Sequence, residues 1–343
     1  MLEPTSSEEL CECVRSHEKV SLQGGCTKRR LAGDTGGRQL ISTRKLSGVL
    51  EYKPDEYVFT ALAGTRLSEI SAMLEENRQY LPFDPPLVDE GATLGGAVAA
   101  GLNGPGSFRF GGLRDFVLAV RFVDGTGRLI MGGGKVVKNA AGFDFPKLMV
   151  GSLGALGALA EITMKVFPKP PGTAYLRMRC SNLRAAVAGL NDLANQPWDL
   201  DALDLLPATS ELKIRLRGEA GALEARRERM GADVDTCGSL HWDERQALTL
   251  GRGDDYLAKI PITPQQILEV ARRFRECVIS IGGNVAWVSS PSMSELEALG
   301  MAALIVRGRS GPVSTGPLRP AQIHPALKNV FDPQGRYPGA LMT

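Results

Sequence analysis

Residues 91–115 read GATLGGAVAAGLNGPGSFRFGGLRD, and the reading of this stretch decides the fold. It holds eight glycines in twenty-five residues, yet Ala92, Leu94, Ala97, Val98, Ala99 and Ala100 are interleaved with them, so it is neither linker nor low-complexity sequence. Such backbone can run buried against a large flat ligand, because glycine permits close main-chain approach and leaves N–H groups uncovered. Thr93, Gly95 and Gly96 open a short Ala-rich helix, expected over 97–102, whose N-terminus can face a phosphate. Taken alone, the stretch also fits a Gly-rich helix packed tightly in a core.

Working outward, the rigid corner PFDPP (82–86) leads into this stretch, and an apolar strand over 116–123 leaves it. The sequence DGTG at 124–127 then reads as a hairpin turn. Upstream, a strand over 20–23 breaks into Gly24, Gly25, Cys26, Thr27, Lys28 and Arg29. A strand running into glycines, a hydroxyl and cations is the layout of a pyrophosphate cradle, with backbone N–H groups on the oxygens and Lys28 or Arg29 adding charge. It matches neither GxxxxGK[ST] nor GxGxxG, which disfavours P-loop and Rossmann readings, and a plain surface hairpin competes with it. Thr5 to Glu8 reads as a capping box for a first helix running to about residue 17. Strands are expected over 46–52, 57–63 and 158–166, and a helix over 66–77. Gly151, Gly154 and Gly157 recur every three residues in a second glycine-dense block, 132–168.

The run PKPPG at 168–172 is the clearest boundary. Beyond it strand-like runs (175–180, 212–216, 256–260, 278–281, 285–288) alternate with helical ones (183–194, 222–230, 265–277, 293–299), the texture of an α+β unit with an antiparallel sheet. The expected organisation is a unit over 1–171, a smaller α+β cap over 172–323, and a C-terminal segment, 324–343, that returns to the first unit.

Composition narrows the function classes. Hydrophobic content of 43%, charged content of 23% and a formal net charge of +2 are those of an ordinary soluble protein, with no reason to expect nucleic acid. No apolar run is long enough to span a membrane and the start lacks a signal-peptide layout, so a cytoplasmic place is expected. The six cysteines are scattered without zinc or iron–sulfur spacing, and no metal is expected.

In order, GGCTKRRLAG, PFDPP, GATLGGAVAAGLNGPGSFRFGGLRDFVL, GGGKVVKNAAGFD, LMVGSLGALGALAEITMKVFPKP and FDPQGRYPG resemble the FAD-linked oxidases of vanillyl-alcohol oxidase (PCMH) type. Within that superfamily the pattern is similar to the smaller flavin subunit of bacterial three-subunit glycolate oxidases. The resemblance is dense over 20–170 and returns at 324–339. It implies an α+β fold, a two-subdomain FAD-binding domain followed by the cap. It also implies that Gly24, Gly25, Cys26, Thr27 and Lys28 form the pyrophosphate loop. Pro85, Pro86, Thr93, Gly95, Gly96, Gly101 and Asn103 would pass the diphosphate and the ring, and Gly157 and Ile162 would close over the nucleotide half. Lys138, Asn139 and Asp144 match a family block, in which Lys138 can neutralise phosphate and Asp144 can cap the helix that follows.

Two departures stand out. Relatives with histidine-linked flavin carry His where this chain has Cys26, so non-covalent FAD is expected, with a cysteinyl link as the alternative. Relatives that oxidise 2-hydroxy acids use a metal-binding histidine pair, whereas this chain has only His17, His241 and His324, far apart. His324 is then the candidate base, with His17 and His241 as plain surface or satisfied residues, and Arg109 or Arg336 are candidates for a substrate carboxylate. The implied function is that of a FAD-binding subunit oxidising glycolate to glyoxylate. Its partners would be a larger paralogous flavin subunit and an iron–sulfur subunit, through which attachment to the inner membrane face stays open. The alternatives are a flavin-binding assembly subunit without turnover and another FAD-dependent reductase of the same fold.

Overall fold

The computed structural model describes residues 1–33, 35–134, 143–231, 233–309, 311–316 and 323–338. Two sheets carry the fold. The first has five antiparallel strands in the order Val49–Lys53, Val58–Leu62, Ala158–Lys165, Val117–Val123 and Leu129–Gly133. The helices Leu67–Glu76 and Leu94–Ala100 bury Leu67, Ile70, Leu74, Leu94 and Val98 against it. A parallel pair, Val20–Gln23 with Gln39–Ser42, stands beside it. The helix Ser7–Arg15 covers that pair and one end of the five-stranded sheet, with Leu10 and Val14 against Val20, Ile41, Val123 and Ala160. Its cap is Ser6, whose hydroxyl accepts from the Glu9 N–H at 3.1 Å, while the Glu9 carboxylate accepts from the Thr5 N–H at 2.7 Å. The box therefore sits one residue later than the sequence suggests.

The second sheet has nine strands. Their order is Val234–Thr236, Thr173–Arg179, Glu211–Arg217, Ala202–Leu206, Glu276–Ser280, Val285–Ser290, Tyr256–Pro261, Ala303–Arg307 and Ser314–Thr315. Every neighbouring pair is antiparallel. Because successive side chains alternate across a strand, the sheet serves two cores. Leu205, Ile214, Ile260 and Ile279 face the helices Leu183–Asn195 and Ile267–Arg273. Leu257, Val285, Trp287 and Val306 join the core of the first sheet, with Phe59, Leu94 and Ile162. The chain end packs on the first unit: the Tyr337 hydroxyl, buried, donates to the Val123 carbonyl at 2.7 Å, and Lys328 donates to the Ala155 carbonyl at 2.7 Å. The fold is α+β, as expected.

The structure adds elements that periodicity did not show: the strands Gln39–Ser42, Ala202–Leu206 and Ala303–Arg307, and the helix Leu240–Ala247. The helix expected over 265–277 stops at Arg273, and Glu276–Ser280 pairs as a strand with Val285–Ser290. Sheet pairing there overrides local propensity. Among the described residues no helix is long and apolar enough to cross a membrane.

Candidate cofactor and substrate site

The strand Val20–Gln23 ends where its loop meets the glycine-dense stretch. A Cβ on Gly24 would stand 2.3 Å from Thr93 Oγ1, and one on Gly25 would stand 2.0 Å from the Gly91 carbonyl oxygen. Gly24 therefore makes room for the Thr93 side chain, and Gly25 lets backbone rest on backbone. Arg44 fixes the loop from behind, donating from Nε to the Gly24 carbonyl and from Nη2 to the Gly25 carbonyl, both at 3.1 Å. The N–H groups of residues 24–28 donate to no other protein atom among the described residues. They line a cleft of about 520 Å³, a volume in the range of small-molecule sites, together with Thr93, Gly96, Ala99 and Ala100 from the facing helix.

That helix presents a wall, not an N-terminus. Its first N–H groups are already engaged: Leu94 donates to the Thr65 carbonyl at 2.9 Å, Gly95 to the Ala63 carbonyl at 2.7 Å, and Gly96 to Thr93 Oγ1 at 3.3 Å. The expectation that this terminus faces a phosphate is corrected accordingly, since two of its donors go to the turn that follows the strand Val58–Leu62 and the third to its own cap. The helix instead lays Gly96, Ala99 and Ala100, spaced i, i+3, i+4, along the cleft.

Lys28 lines the cleft with two further cations, Arg29 and Arg44. Its ammonium donates to Thr27 Oγ1 at 3.0 Å and pairs with no carboxylate among the described residues. Burial pulls its pKa down to about 8, against a small opposing pull from Glu90. An anion in the cleft stabilises the charged form, so below pH 8 it meets a cation already in place. Above pH 8 binding must take up a proton. The dissociation constant of the anion is therefore expected to be flat below about pH 8 and to rise above it, by up to tenfold per pH unit. Fluorescence titration between pH 6.5 and 9.5 measures this, and Lys28→Met should weaken binding and remove the slope.

A second pocket, of about 330 Å³, shares Cys26, Thr27 and Arg29 with the cleft and reaches the nine-stranded sheet through Leu248, Leu257, Val306 and Arg307. Beside it lies a buried charged cluster. Arg245, 5% exposed, stacks over Trp287 at 5.0 Å and donates from Nε to Asp204 Oδ2 at 3.3 Å. Neither of its Nη groups hydrogen-bonds a described protein atom. Lys259 lies directly opposite Trp287 in the sheet register, and its ammonium likewise has no carboxylate partner among the described residues. Burial first, and then the charge of Arg245, lowers its pKa. Asp204, fully buried, also accepts from Ser280 Oγ at 2.5 Å and His241 Nε2 at 3.0 Å. Burial pushes its carboxyl up, but the His241 hydrogen bond and the Arg245 charge outweigh that and hold it below the usual range.

Residues 1–132 match a family model described as an FAD binding domain. The chain is 39% identical to glycolate oxidase subunit GlcE of Escherichia coli strain K12 over 226 residues, which are 66% of this chain and 63% of that one. It is 31% identical to a D-lactate dehydrogenase of Anaerostipes hadrus over 193 residues, 55% of this chain and 40% of that protein. The chain thus spans less than two thirds of the length of these relatives. The chain is similar to FAD-linked oxidases and dehydrogenases, and its first part to an FAD binding domain. Among solved structures, alkyldihydroxyacetonephosphate synthase superposes with a TM-score of 0.70 over 98% of this chain and 76% of its own, at 16% identity, a likeness of fold. The cofactor is FAD, and the cleft fits it: unengaged N–H donors and the Lys28 ammonium suit a diphosphate, and Gly96 leaves room where a side chain would intrude.

Of the sequence candidates, Gly24, Gly25, Cys26, Thr27, Lys28, Thr93 and Gly96 line the cleft. Pro85, Pro86, Gly95, Gly101, Asn103, Gly157 and Ile162 do not. Gly95 backs onto Ala63, Gly157 onto Phe122, and Ile162 is wholly buried in the five-stranded sheet. Asn103 Oδ1 accepts from the Leu113 N–H at 2.6 Å, and the Pro85 carbonyl accepts from Gln246 at 3.4 Å, so both brace the corner. Asp144 caps the helix Phe145–Met149, accepting from the Lys147 N–H at 3.1 Å, while Lys138 and Asn139 lie outside the described residues. Arg109 pairs with Asp199 at 2.7 Å and Arg336 donates to the Gly125 carbonyl at 3.3 Å, so neither reaches the cleft or the pocket beside it. His324 is in the helix Ile323–Phe331, and His241, read as a satisfied residue, is the imidazole of the charged cluster. Sequence reasoning missed Arg245 and Lys259. The only available signal was two cations flanking Trp242 and Tyr256, in a segment whose helix was not legible.

Proposed function

We propose that this chain is the FAD-binding subunit of a 2-hydroxy acid dehydrogenase acting on glycolate. It would work beside a larger flavin chain, with an iron–sulfur partner taking the electrons. The observation that carries the reading is the unmatched pair Arg245 and Lys259. Arg245 is buried with one carboxylate and the half-buried Lys259 has none among the described residues, and surplus positive charge away from water calls for an anion. The planar guanidinium with free Nη groups suits a carboxylate held by two parallel hydrogen bonds, and Lys259 adds a second contact. Leu248, close along the chain from Arg245, and Leu257, on the same strand face as Lys259, line the pocket that continues the cofactor cleft. A carboxylate on Arg245 would occupy the cavity of about 490 Å³ that Arg245 lines with His241 and Thr249, close along the chain to that pocket. Bound FAD supplies the two-electron acceptor. The cofactor is held non-covalently in this reading, since Cys26 turns its thiol back to Gln23 Oε1 at 3.4 Å.

The test begins with flavin released from the protein by acid and added back to the apo chain. Glycolate should then perturb the flavin spectrum saturably, and Arg245→Met should weaken that response roughly 100-fold, the worth of one or two charge-assisted hydrogen bonds. A chain that binds flavin only to support a larger paralogue would take up FAD and show no response to glycolate at any concentration.

A further inference from the structure

We propose that His241, oriented by Asp204, accepts the hydroxyl proton of the bound 2-hydroxy acid; this rests on the carboxylate reading of Arg245 and Lys259. His241 is 11% exposed at its side chain and lines a cavity of about 490 Å³ that Arg245 and Thr249 also line. Its Nε2 meets Asp204 Oδ2 at 3.0 Å, and Arg245 Nε meets the same oxygen at 3.3 Å. One carboxylate oxygen thus sets imidazole and guanidinium side by side. An ionised carboxylate can only accept, so the ring proton of neutral His241 sits on Nε2. Its Nδ1 is left as an acceptor, with no partner among the described residues.

The orienting carboxylate is itself fixed. Asp204 is fully buried in the strand Ala202–Leu206, and Ser280 Oγ from the next strand holds its other oxygen. The ring of Trp242 stands edge-on to the imidazole, 4.7 Å between centroids, and limits its rotation. A base held this way by a buried carboxylate keeps one tautomer and one direction, and the carboxylate stabilises the imidazolium once the proton has arrived. This is more than fastening the helix Leu240–Ala247 to the sheet requires, because Arg245 already makes that link through the same oxygen.

The chemistry balances. With the carboxylate on Arg245, the hydroxyl stands one carbon away, toward His241. The O–H bond breaks with its proton on Nδ1, and the carbon–oxygen bond becomes double. The hydrogen lost from carbon, with its electron pair, is what the flavin accepts.

The experiment uses the full chain loaded with FAD and labelled with ¹⁵N-histidine; three histidines make the assignment simple. Oxalate, which carries an oxygen where the hydroxyl would be, is expected to shift the His241 Nδ1 resonance. Acetate, which lacks that oxygen, is expected to leave it in place. His241→Gln keeps an N–H for Asp204 but has no basic nitrogen. It should slow anaerobic flavin reduction by glycolate by roughly 10²–10⁴-fold while half-saturation stays within a few-fold. If oxalate perturbs the flavin in an Arg245-dependent way and the His241 resonance does not move, the proposal is overturned and the carboxylate site stands. If neither acid perturbs the flavin, both fall together.

Discussion

Gly96→Val yields a folded, colourless protein. Gly96 lines the cleft, and the nearest atom to a Cβ placed there, outside its own helix backbone, is the hydroxyl of its cap residue Thr93 at 3.0 Å. Once that hydroxyl gives by a few tenths of an ångström, a valine meets no other protein atom outside its helix, and what it displaces is the cofactor. The neighbouring residue behaves oppositely. A Cβ on Gly95 would stand 2.7 Å from the Ala63 Cβ and 2.9 Å from its carbonyl oxygen, so Gly95→Val pushes the helix off the strand Val58–Leu62. That is overpacking in a filled core, which typically costs 1–3 kcal/mol. The expected results are a loss of FAD retention of at least about 100-fold for Gly96→Val with an unchanged apo melting temperature, and a lowered melting temperature for Gly95→Val even without FAD. Flavin absorbance after gel filtration and apo-protein melting curves read the two effects separately. A yellow Gly96→Val protein of normal affinity would place the cofactor elsewhere.

Arg215→Ala should be the most damaging single change outside the cofactor cleft. Arg215, from the strand Glu211–Arg217, bonds both Asp84 in the PFDPP corner and Asp201, and Arg217 lies 3.5 Å from Asp84 and 3.4 Å from Asp201. Asp84 also accepts from the Gly106 N–H at 2.8 Å, inside the glycine-dense stretch. One guanidinium thus ties the nine-stranded sheet to the segment that walls the cleft. Removing it leaves two buried carboxylates facing each other with Arg217 as their remaining cation, and breaking such a pair costs about 3–5 kcal/mol. Burial pushes the Asp201 carboxyl up even with both arginines present. A raised carboxyl contributes stability at low pH that is lost as pH rises through its folded value, and without Arg215 it should rise further. The deficit of Arg215→Ala is therefore expected to be larger at pH 8 than at pH 5, as chemical denaturation at the two pH values will show. A deficit below 1 kcal/mol, or one independent of pH, would mean that the two aspartates find water or another partner.

The sequence by itself determined the cofactor half of this protein. Gly24 to Lys28 follow a strand without interruption, and the glycine-dense stretch supplies its own wall. Local order along the chain was enough to read both, because the donors and the cation sit in one loop. It also determined the α+β class, since the apolar runs of 117–123 and 158–165 and the 3.6 period of 67–76 are local properties. Which glycines touch a ligand was not local. Gly95 and Gly96 are adjacent and look alike, and only the packing of their helix on Ala63 turns one to the core and the other to the cleft. The substrate side was decided by tertiary structure alone. Asp204, His241, Arg245, Lys259 and Trp287 come from four strands and helices spread over more than eighty residues. Sheet register sets Lys259 opposite Trp287, and the helix Leu240–Ala247 lays Arg245 across it. That helix has two charged residues between Trp242 and Arg245 and no clear apolar stripe, because its inner face rests partly on a buried carboxylate, so hydrophobic periodicity had nothing to detect. Charge pairing across a sheet is invisible to a period.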